Sequence, residues 1–513
     1  MVQGTASDVG KSLIVAALCR IFTDMGYRVA PFKSQNMALN SFATIEGHEI
    51  GRAQALQAMA AKISPTVDMN PILLKPTDSS QAQVIVHGKV YKNLSARDYY
   101  LEKSRLISVV EKSLNKLKKS FDMVIIEGAG SPAEINLKQQ DIANMRIARM
   151  ANAPVILVGD IDRGGVFASI VGTLDLLDED ERNRVKGIVI NKFRGDVGLL
   201  KPGIDFLEER TAKKVLGIIP YISGLKIDSE DSLALDNKRS MGYDTGTNPS
   251  DSASHNGAIK IAVIRLPHIS NFTDIDTFSH EPDVELRYVV PGAKIEDTDL
   301  LIIPGTKNTV ADMQTLYEKG TVFEIRNLRR KGIPIIGLCG GYQMLGNLIE
   351  DEHGIESGLK AIEGIGLLDC TTSICQSKVT MQVEAVVSGT GEILGPVRGQ
   401  KVAGYEIHMG TTRSANGAAE AFRIKKRGES AEDIADGCVS DDGLVFGTYI
   451  HGLFDNGNIR KSLLDFLKAR RGFERNSADI DYDVYRQSQI DYLADTVAKN
   501  LDIDYLLKEV LGV

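Results

Sequence analysis

Short apolar runs recur through the first 220 residues: Tyr27 to Phe32, Met123 to Glu127, Val155 to Gly159 and Gly187 to Asn191. Each has the length and composition of a strand buried on both faces. Around them, Lys11 to Met25, Gly51 to Ile63, Ala96 to Lys118 and Gln140 to Met150 carry helical spacing. Strands that alternate with helices build a parallel sheet with crossover connections, so this half is expected to be a doubly wound α/β domain.

From about Asp228 to Gly257 the chain turns to Asp, Ser, Asn, Gly and Thr with few large apolar residues, the composition of a linker. A second α/β pattern begins at Ile259-Lys-Ile-Ala-Val-Ile, continues through Leu300-Leu-Ile-Ile-Pro and Pro334-Ile-Ile-Gly-Leu, and ends near Val445 to Tyr449. A charged stretch of helical spacing, Lys461 to Leu511, follows. The expected division is a first domain over 1–227, a linker over 228–257, a second domain over 258–458 and a helical tail over 459–513. A chain of 513 residues is longer than one core usually organises.

The remaining bulk properties exclude several classes of function. No apolar run approaches the roughly 18 residues of a membrane span. The net charge is −8, with acids and bases mixed along the chain, so there is no basic stripe for a nucleic acid to follow. The cysteines (Cys19, Cys339, Cys370, Cys375, Cys438) are scattered and lack Cys-x-x-Cys spacing, which argues against a disulfide framework or a zinc site and for a reducing cytoplasm. The chain opens on Met1-Val2-Gln3-Gly4 without a signal peptide, and so abruptly that a natural start further upstream is one expectation.

Gly4-Thr-Ala-Ser-Asp-Val-Gly10-Lys11-Ser12 lies between the stub of a strand and a helix, where backbone N–H groups and the helix dipole cradle phosphates. Gly4, Thr5, Ser7, Asp8, Val9 and Gly10 are expected around a nucleotide, Lys11 at its terminal phosphates, and the Ser12 hydroxyl on Mg²⁺. The spacing departs from the ordinary phosphate loop, because Thr5 stands where the first glycine is expected. Glu127, at the carboxyl edge of a neighbouring strand, is the expected second Mg²⁺ ligand, whereas Asp122 sits at the wrong end of the same strand. Lys33 and Lys75 are candidates to steady a transferring phosphoryl group, and Asn191 stands where the base would be read.

In the second pattern, Gly337-Leu-Cys339-Gly-Gly341 places a cysteine between glycines, after a strand and before a helix. This is a nucleophile elbow: the turn needs small neighbours, and the start of the following helix favours the thiolate. Backbone N–H groups at Gly305 and Gly340 are the expected oxyanion donors. His451 in Gly447-Thr-Tyr-Ile-His451-Gly is the first candidate for general base. His408, in Gly404-Tyr-Glu-Ile-His408-Met-Gly and taken as another strand end, is the second, or else a pocket residue.

These runs, with Lys33-Ser-Gln-Asn36-Met, Glu49-Ile-Gly-Arg52-Ala-Gln, Gly159-Asp-Ile-Asp162-Arg163-Gly-Gly-Val-Phe and Asn191-Lys-Phe-Arg-Gly-Asp196, resemble the cobyric acid synthase family over essentially the whole chain. The first half is similar to dethiobiotin synthetase, whose phosphate loop has the same lengthened spacing. The second half looks like a class I glutamine amidotransferase of the cobyrinate-type branch. That class ordinarily carries Glu two residues after its histidine, and here the position is Leu453, so the group orienting His451 stays open, with Asp455 one possibility.

The resemblance implies ATP and Mg²⁺ as cofactors, with Glu49 a further metal candidate. The implied small-molecule partners are glutamine and a corrinoid polycarboxylate, with no stated oligomeric state. Ammonia freed from glutamine by Cys339 and His451 would amidate the b, d, e and g carboxylates of adenosylcobyrinic acid a,c-diamide after ATP activates them as acyl phosphates. Two other readings are a different amidoligase of the same build, such as cobyrinic acid a,c-diamide synthase, and a nucleotide-switched binding protein.

Overall fold

The computed structural model describes residues 1–77, 81–227, 258–415, 417–474 and 480–512, so the expected linker lies outside the described residues. The chain forms two compact units. One holds residues 1–38 and 50–227 together with the C-terminal stretch from Arg486, and the other holds 39–49 and the described residues from 258 to Tyr485. Among the described residues no helix is long and apolar enough to cross a membrane.

The first unit is built on a parallel sheet. Its strands are β1 (Val2–Gly4), β2 (Val29–Phe32), β3 (Met123–Ile126), β4 (Val155–Asp160), β5 (Val185–Phe193) and β6 (Lys214–Pro220). β2 pairs with β3, and β1, β4, β5 and β6 run side by side, all parallel. A parallel bridge from Val2 to Glu127 and the Gly128 N–H on the Val2 carbonyl bring β3 beside β1. The helix α1 (Lys11–Asp24) leaves the end of β1 and buries Ile14, Val15, Leu18 and Phe22 in the core of this unit.

A second sheet in this unit, formed by Gln35–Met37, Ile72–Pro76, Gln81–Val86 and Lys89–Ser95, was not expected. Its outer strand, Lys89–Ser95, is largely exposed and polar, so a search for continuous apolar runs passes over it. The helix expected over Gln140 to Met150 is shorter, Met145–Ala151. The Asp141 carboxylate accepts the N–H groups of Ala143, Asn144 and Arg146, and holds the chain in a turn before the helix starts.

The second unit has a sheet in the order β8 (Val284–Val289), β7 (Ile259–Ile264), β9 (Leu300–Ile303), β10 (Ile335–Leu338) and β13 (Val445–Thr448), parallel throughout this path, with the short strand Cys438–Val439 antiparallel at its edge. The long strands β11 (Cys370–Val387) and β12 (Lys401–Ser414) belong to a separate, mostly antiparallel sheet that ends on β14 (Ile450–His451). Buried and exposed positions are interspersed along β11 and β12, the pattern of a sheet covered on one face, so they too escape a search for apolar runs.

The tail expected as one helical piece over 459–513 divides. Gly457–Arg471 packs Ile459, Leu463, Leu464 and Leu467 into the second unit, while Ile490, Leu493, Val497 and Leu501 join the core around α1 in the first. Helical spacing reveals an apolar face but not the core that receives it. Truncating Leu493 to Ala is expected to cost about 2–5 kcal/mol, the range for a buried Leu. Hydrogen exchange should show faster opening of α1 and unchanged protection of β10.

Candidate active sites

In the second unit, β10 ends at Cys339, whose φ of 50° and ψ of −109° mark the strained turn expected of a nucleophile elbow. The helix α2 (Gly340–Leu345) follows at once. The glycines are dictated by close approach, since a Cβ on Gly341 would lie 1.9 Å from the Ile303 carbonyl oxygen and one on Gly340 2.6 Å from Thr306 Cγ2. The end of β9 is thus pressed against the elbow. A Cβ on Gly305 would sit 3.4 Å from His451 Cε1, so Gly305, Gly340, Cys339 and His451 converge on one point.

His451 lies on β14 and is buried. Its Nδ1 is 2.6 Å from Asp274 Oδ2, and Asp274 Oδ1 accepts the Gly452 N–H at 2.9 Å. Burial opposes the imidazolium, but the carboxylate of Asp274 and the facing sulfur of Cys339 outweigh it and push the His451 pKa up to about 10. Asp274, not Asp455, therefore orients the ring. The sequence reading missed it because it precedes the cysteine, whereas the usual carboxylate follows the histidine. Its one sequence signal is an acid within Phe272-Thr-Asp274-Ile-Asp276, between apolar residues that are buried in the fold.

His408 lies inside β12, not at a strand end. Its ring stacks on Tyr449 with centroids 3.8 Å apart, and its Nδ1 is 3.1 Å from the Gly410 carbonyl oxygen. The Sγ of Cys339 lies 3.5 Å from the neighbouring Ile407 carbonyl oxygen. Gln343, a residue the sequence reading did not single out, fixes α2 by donating to the Met409 carbonyl and Tyr449 and by accepting from Thr309.

In the first unit, Thr5 continues from β1 with its N–H on the Val158 carbonyl. Asp8 and Gly10 take left-handed conformations, with φ of 58° and 97°. A Cβ on Gly10 would meet Asn191 Nδ2 at 2.2 Å, and that nitrogen donates to the Val9 carbonyl at 2.8 Å. Asn191 therefore braces the loop. Lys11 Nζ donates to the carbonyls of Ala6, at 2.9 Å, and Gly130, at 3.2 Å. Lys192, next to Asn191, ties the loop to β4 through the Asp8 carbonyl and Asp160.

Glu127 is buried where β3 ends. Its Oε1 accepts Ser12 Oγ at 2.8 Å and Lys33 Nζ at 2.9 Å, and its Oε2 accepts Gln57 Nε2 at 2.6 Å. The buried Gln57 Oε1 has no hydrogen-bond partner. A hydroxyl, a carboxylate and an orphaned amide oxygen form a hard-oxygen set that fits Mg²⁺ bound together with water and phosphate oxygens. Asp122 pairs with Arg28 before β3, at the other end of the strand. Lys75 is buried in Ile72–Pro76 opposite Gln83.

Glu49, the further metal candidate, has its own set of partners. It belongs to the second unit, where one carboxylate oxygen accepts Ser41 Oγ and the other pairs with Lys378. One oxygen is thus in a hydrogen bond with a hydroxyl and the other in an ion pair.

The model for the CobQ/CobB/MinD/ParA nucleotide binding domain matches residues 1–235, and that for the CobB/CobQ-like glutamine amidotransferase domain matches residues 260–459. The cobyric acid synthase of Thermoanaerobacter sp. (strain X514) is 51% identical over 98% of this chain and 97% of its own length. Those of Sorangium cellulosum (strain So ce56) and Moorella thermoacetica are each 50% identical, over 100% and 99% of this chain and 98% and 96% of their own. With a nucleotide-binding half and an amidotransferase half in one chain, the protein belongs to the cobyric acid synthase family of glutamine-dependent amide-forming ligases.

Proposed function

We propose that the chain amidates the b, d, e and g carboxylates of adenosylcobyrinic acid a,c-diamide, using ATP and the amide nitrogen of glutamine, to give adenosylcobyric acid. The observation that carries the glutaminase half is the buried Asp274–His451 pair facing Cys339 at the elbow. The corrinoid acceptor is supported by full-length relatives named as cobyric acid synthases, which favours it over the a,c-diamide synthase reading. The free thiols of all five cysteines fit a cytoplasmic setting.

Cys339 attacks the side-chain carbonyl carbon of glutamine after its proton has passed to His451. Asp274 accepts the Nδ1–H and stabilises the imidazolium. The N–H groups of Gly305 and Gly340 meet the oxyanion, and His451 returns the proton to the leaving ammonia. Water then cleaves the thioester and releases glutamate.

In the first unit, the loop Gly4 to Ser12 holds the nucleotide, and Lys11 moves from the Ala6 and Gly130 carbonyls to the phosphates. Ser12 and Glu127 would hold Mg²⁺, which when bound would neutralise charge on the transferring phosphoryl group. Lys33, bonded to the same Glu127 oxygen as Ser12, steadies the same charge, and Lys75 lends a further positive charge. A corrinoid carboxylate takes the γ-phosphoryl group, ammonia attacks the acyl phosphate, and phosphate leaves.

Replacing Cys339 by Ala is expected to abolish glutamine-dependent amidation while ammonium salts still support it. Failure of ammonium rescue, followed as mass gain of the corrinoid, would show that the two chemistries are not separate. Asp274→Asn should lower glutamate release by about 10²–10⁴-fold, the range for losing the carboxylate behind a catalytic histidine. Because Asp274 raises the His451 pKa, the alkaline limb of the pH–rate profile should move to lower pH in that variant, from near 10 in the parent. A parallel drop at every pH would contradict the assignment. Ser12→Ala and Glu127→Gln should each lower amidation by roughly 10²-fold or more with either nitrogen source, since Mg²⁺ supplies several kcal/mol of charge stabilisation.

A further inference from the structure

The second unit holds a cavity of about 370 Å³ beside the elbow. Its lining includes Tyr342 of α2, Thr412 of β12, Tyr449 between β13 and β14, and Ala418, Glu420 and Asp436. The volume falls within the roughly 300–1,000 Å³ of pockets that hold small molecules.

Asp436 is 5% exposed. Its Oδ2 accepts the Thr448 hydroxyl, and its Oδ1 accepts the Tyr449 N–H at 3.2 Å. Among the described residues no cation pairs with it, whereas Glu420, the other acid of the lining, is matched by Arg423 at 2.7 Å. Arg427 acts on Asp436 from a distance but is itself paired with Glu406 at 2.8 Å. A buried carboxylate without a counter-ion is costly. Burial, with Glu406 adding to it, pushes the Asp436 carboxyl up to about 7 against the pull of the Thr448 hydroxyl, the Tyr449 N–H and Arg427. Each carboxylate oxygen accepts a single hydrogen bond, so lone pairs remain for a ligand.

The rest of the lining is neutral. Tyr342 and Tyr449 meet edge to face with ring centroids 5.2 Å apart, and burial pushes both phenols up, so neither ionises. The Tyr449 hydroxyl shares a hydrogen bond with Thr412 at 2.6 Å. One anion, hydroxyl oxygens and neutral aromatic rings suit a cation that donates hydrogen bonds and tolerates contact with a ring. A divalent metal fits poorly, because it takes several hard oxygens and no group of three or more His, Cys, Asp or Glu side chains among the described residues could hold one.

We propose that this cavity binds an ammonium group, with Asp436 as its counter-ion. Two sources share that chemistry: free ammonium, the product of glutamine hydrolysis at Cys339, and the protonated amine of a small organic molecule. Tyr449 joins the cavity to the elbow, since its hydroxyl accepts from Gln343 at 3.1 Å and its ring stacks on His408. The site stands whether or not Cys339 hydrolyses glutamine.

Saturation-transfer NMR on the full chain, without nucleotide or glutamine, detects the methyl protons of methylammonium when it binds. Methylammonium is expected to give a signal that ammonium displaces, and methanol, uncharged and of similar size, is expected to give none. Asp436→Asn should weaken binding about 10–100-fold, the worth of a hydrogen bond to a charged group. Tighter binding of ammonium than of propylammonium identifies free ammonium as the ligand, and the reverse order identifies an organic amine. Absence of a signal overturns the proposal, as does displacement by potassium as readily as by ammonium, or binding unchanged in Asp436→Asn. A thermal melt verifies that this variant folds, and if it does not, Ala418→Leu, which fills the cavity, decides on the same terms.

Discussion

A carboxylate sealed from water beside an imidazole is costly to bury, and it persists only where each partner compensates the other. Asp274 is almost fully buried, and it spends one oxygen on His451 Nδ1 and the other on the Gly452 N–H. This fixes the ring and the direction of Nε2. Neighbouring features follow from it: Tyr405 can stack on a ring that does not rotate, and Asn271 can approach Nε2. The elbow supplies the matching constraint, because Cys339 keeps its strained φ and ψ only while Gly340 and Gly341 let the end of β9 press against it.

The same architectural rule serves both units. Parallel strands bring their carboxyl ends to one edge of the sheet, and the chemistry stands there. β1 leads into the phosphate loop and β3 into Glu127, while β9 leads to Gly305 and β10 to Cys339. One fold principle, used twice, gives a site that handles phosphate and a site that handles an amide. Function differs because the residues at the edge differ, not because the layers do.

How much was legible follows from these rules. Cys339, Ser12, Lys11 and Glu127 stand where strand, turn and helix leave only a few choices, so local pattern reveals them. His451 could be nominated from its strand end. Asp274 and Asn271 could not, because they are joined to His451 only by tertiary approach across some 180 residues of sequence. Gln57 was hidden for the same reason, as a helical glutamine whose partner, Glu127, lies just past the end of β3. The partner of Glu49 was hidden likewise, because a run of residues does not say where a side chain points. In this fold it points to Lys378. β11 and the sheet of residues 35–95 were passed over, and β12 was glimpsed only at His408, because their apolar residues are dispersed rather than continuous.

The proposed coupling of the two sites requires that the nitrogen released at Cys339 be the nitrogen installed on the corrinoid. Supplying glutamine labelled with ¹⁵N at its side-chain amide, with Mg²⁺-ATP, the corrinoid diamide and a background of unlabelled ammonium too dilute to react, tests it directly by mass spectrometry of the product. Every newly formed amide is expected to carry the label. Unlabelled new amides, or no amide formed while glutamine is consumed, would contradict it.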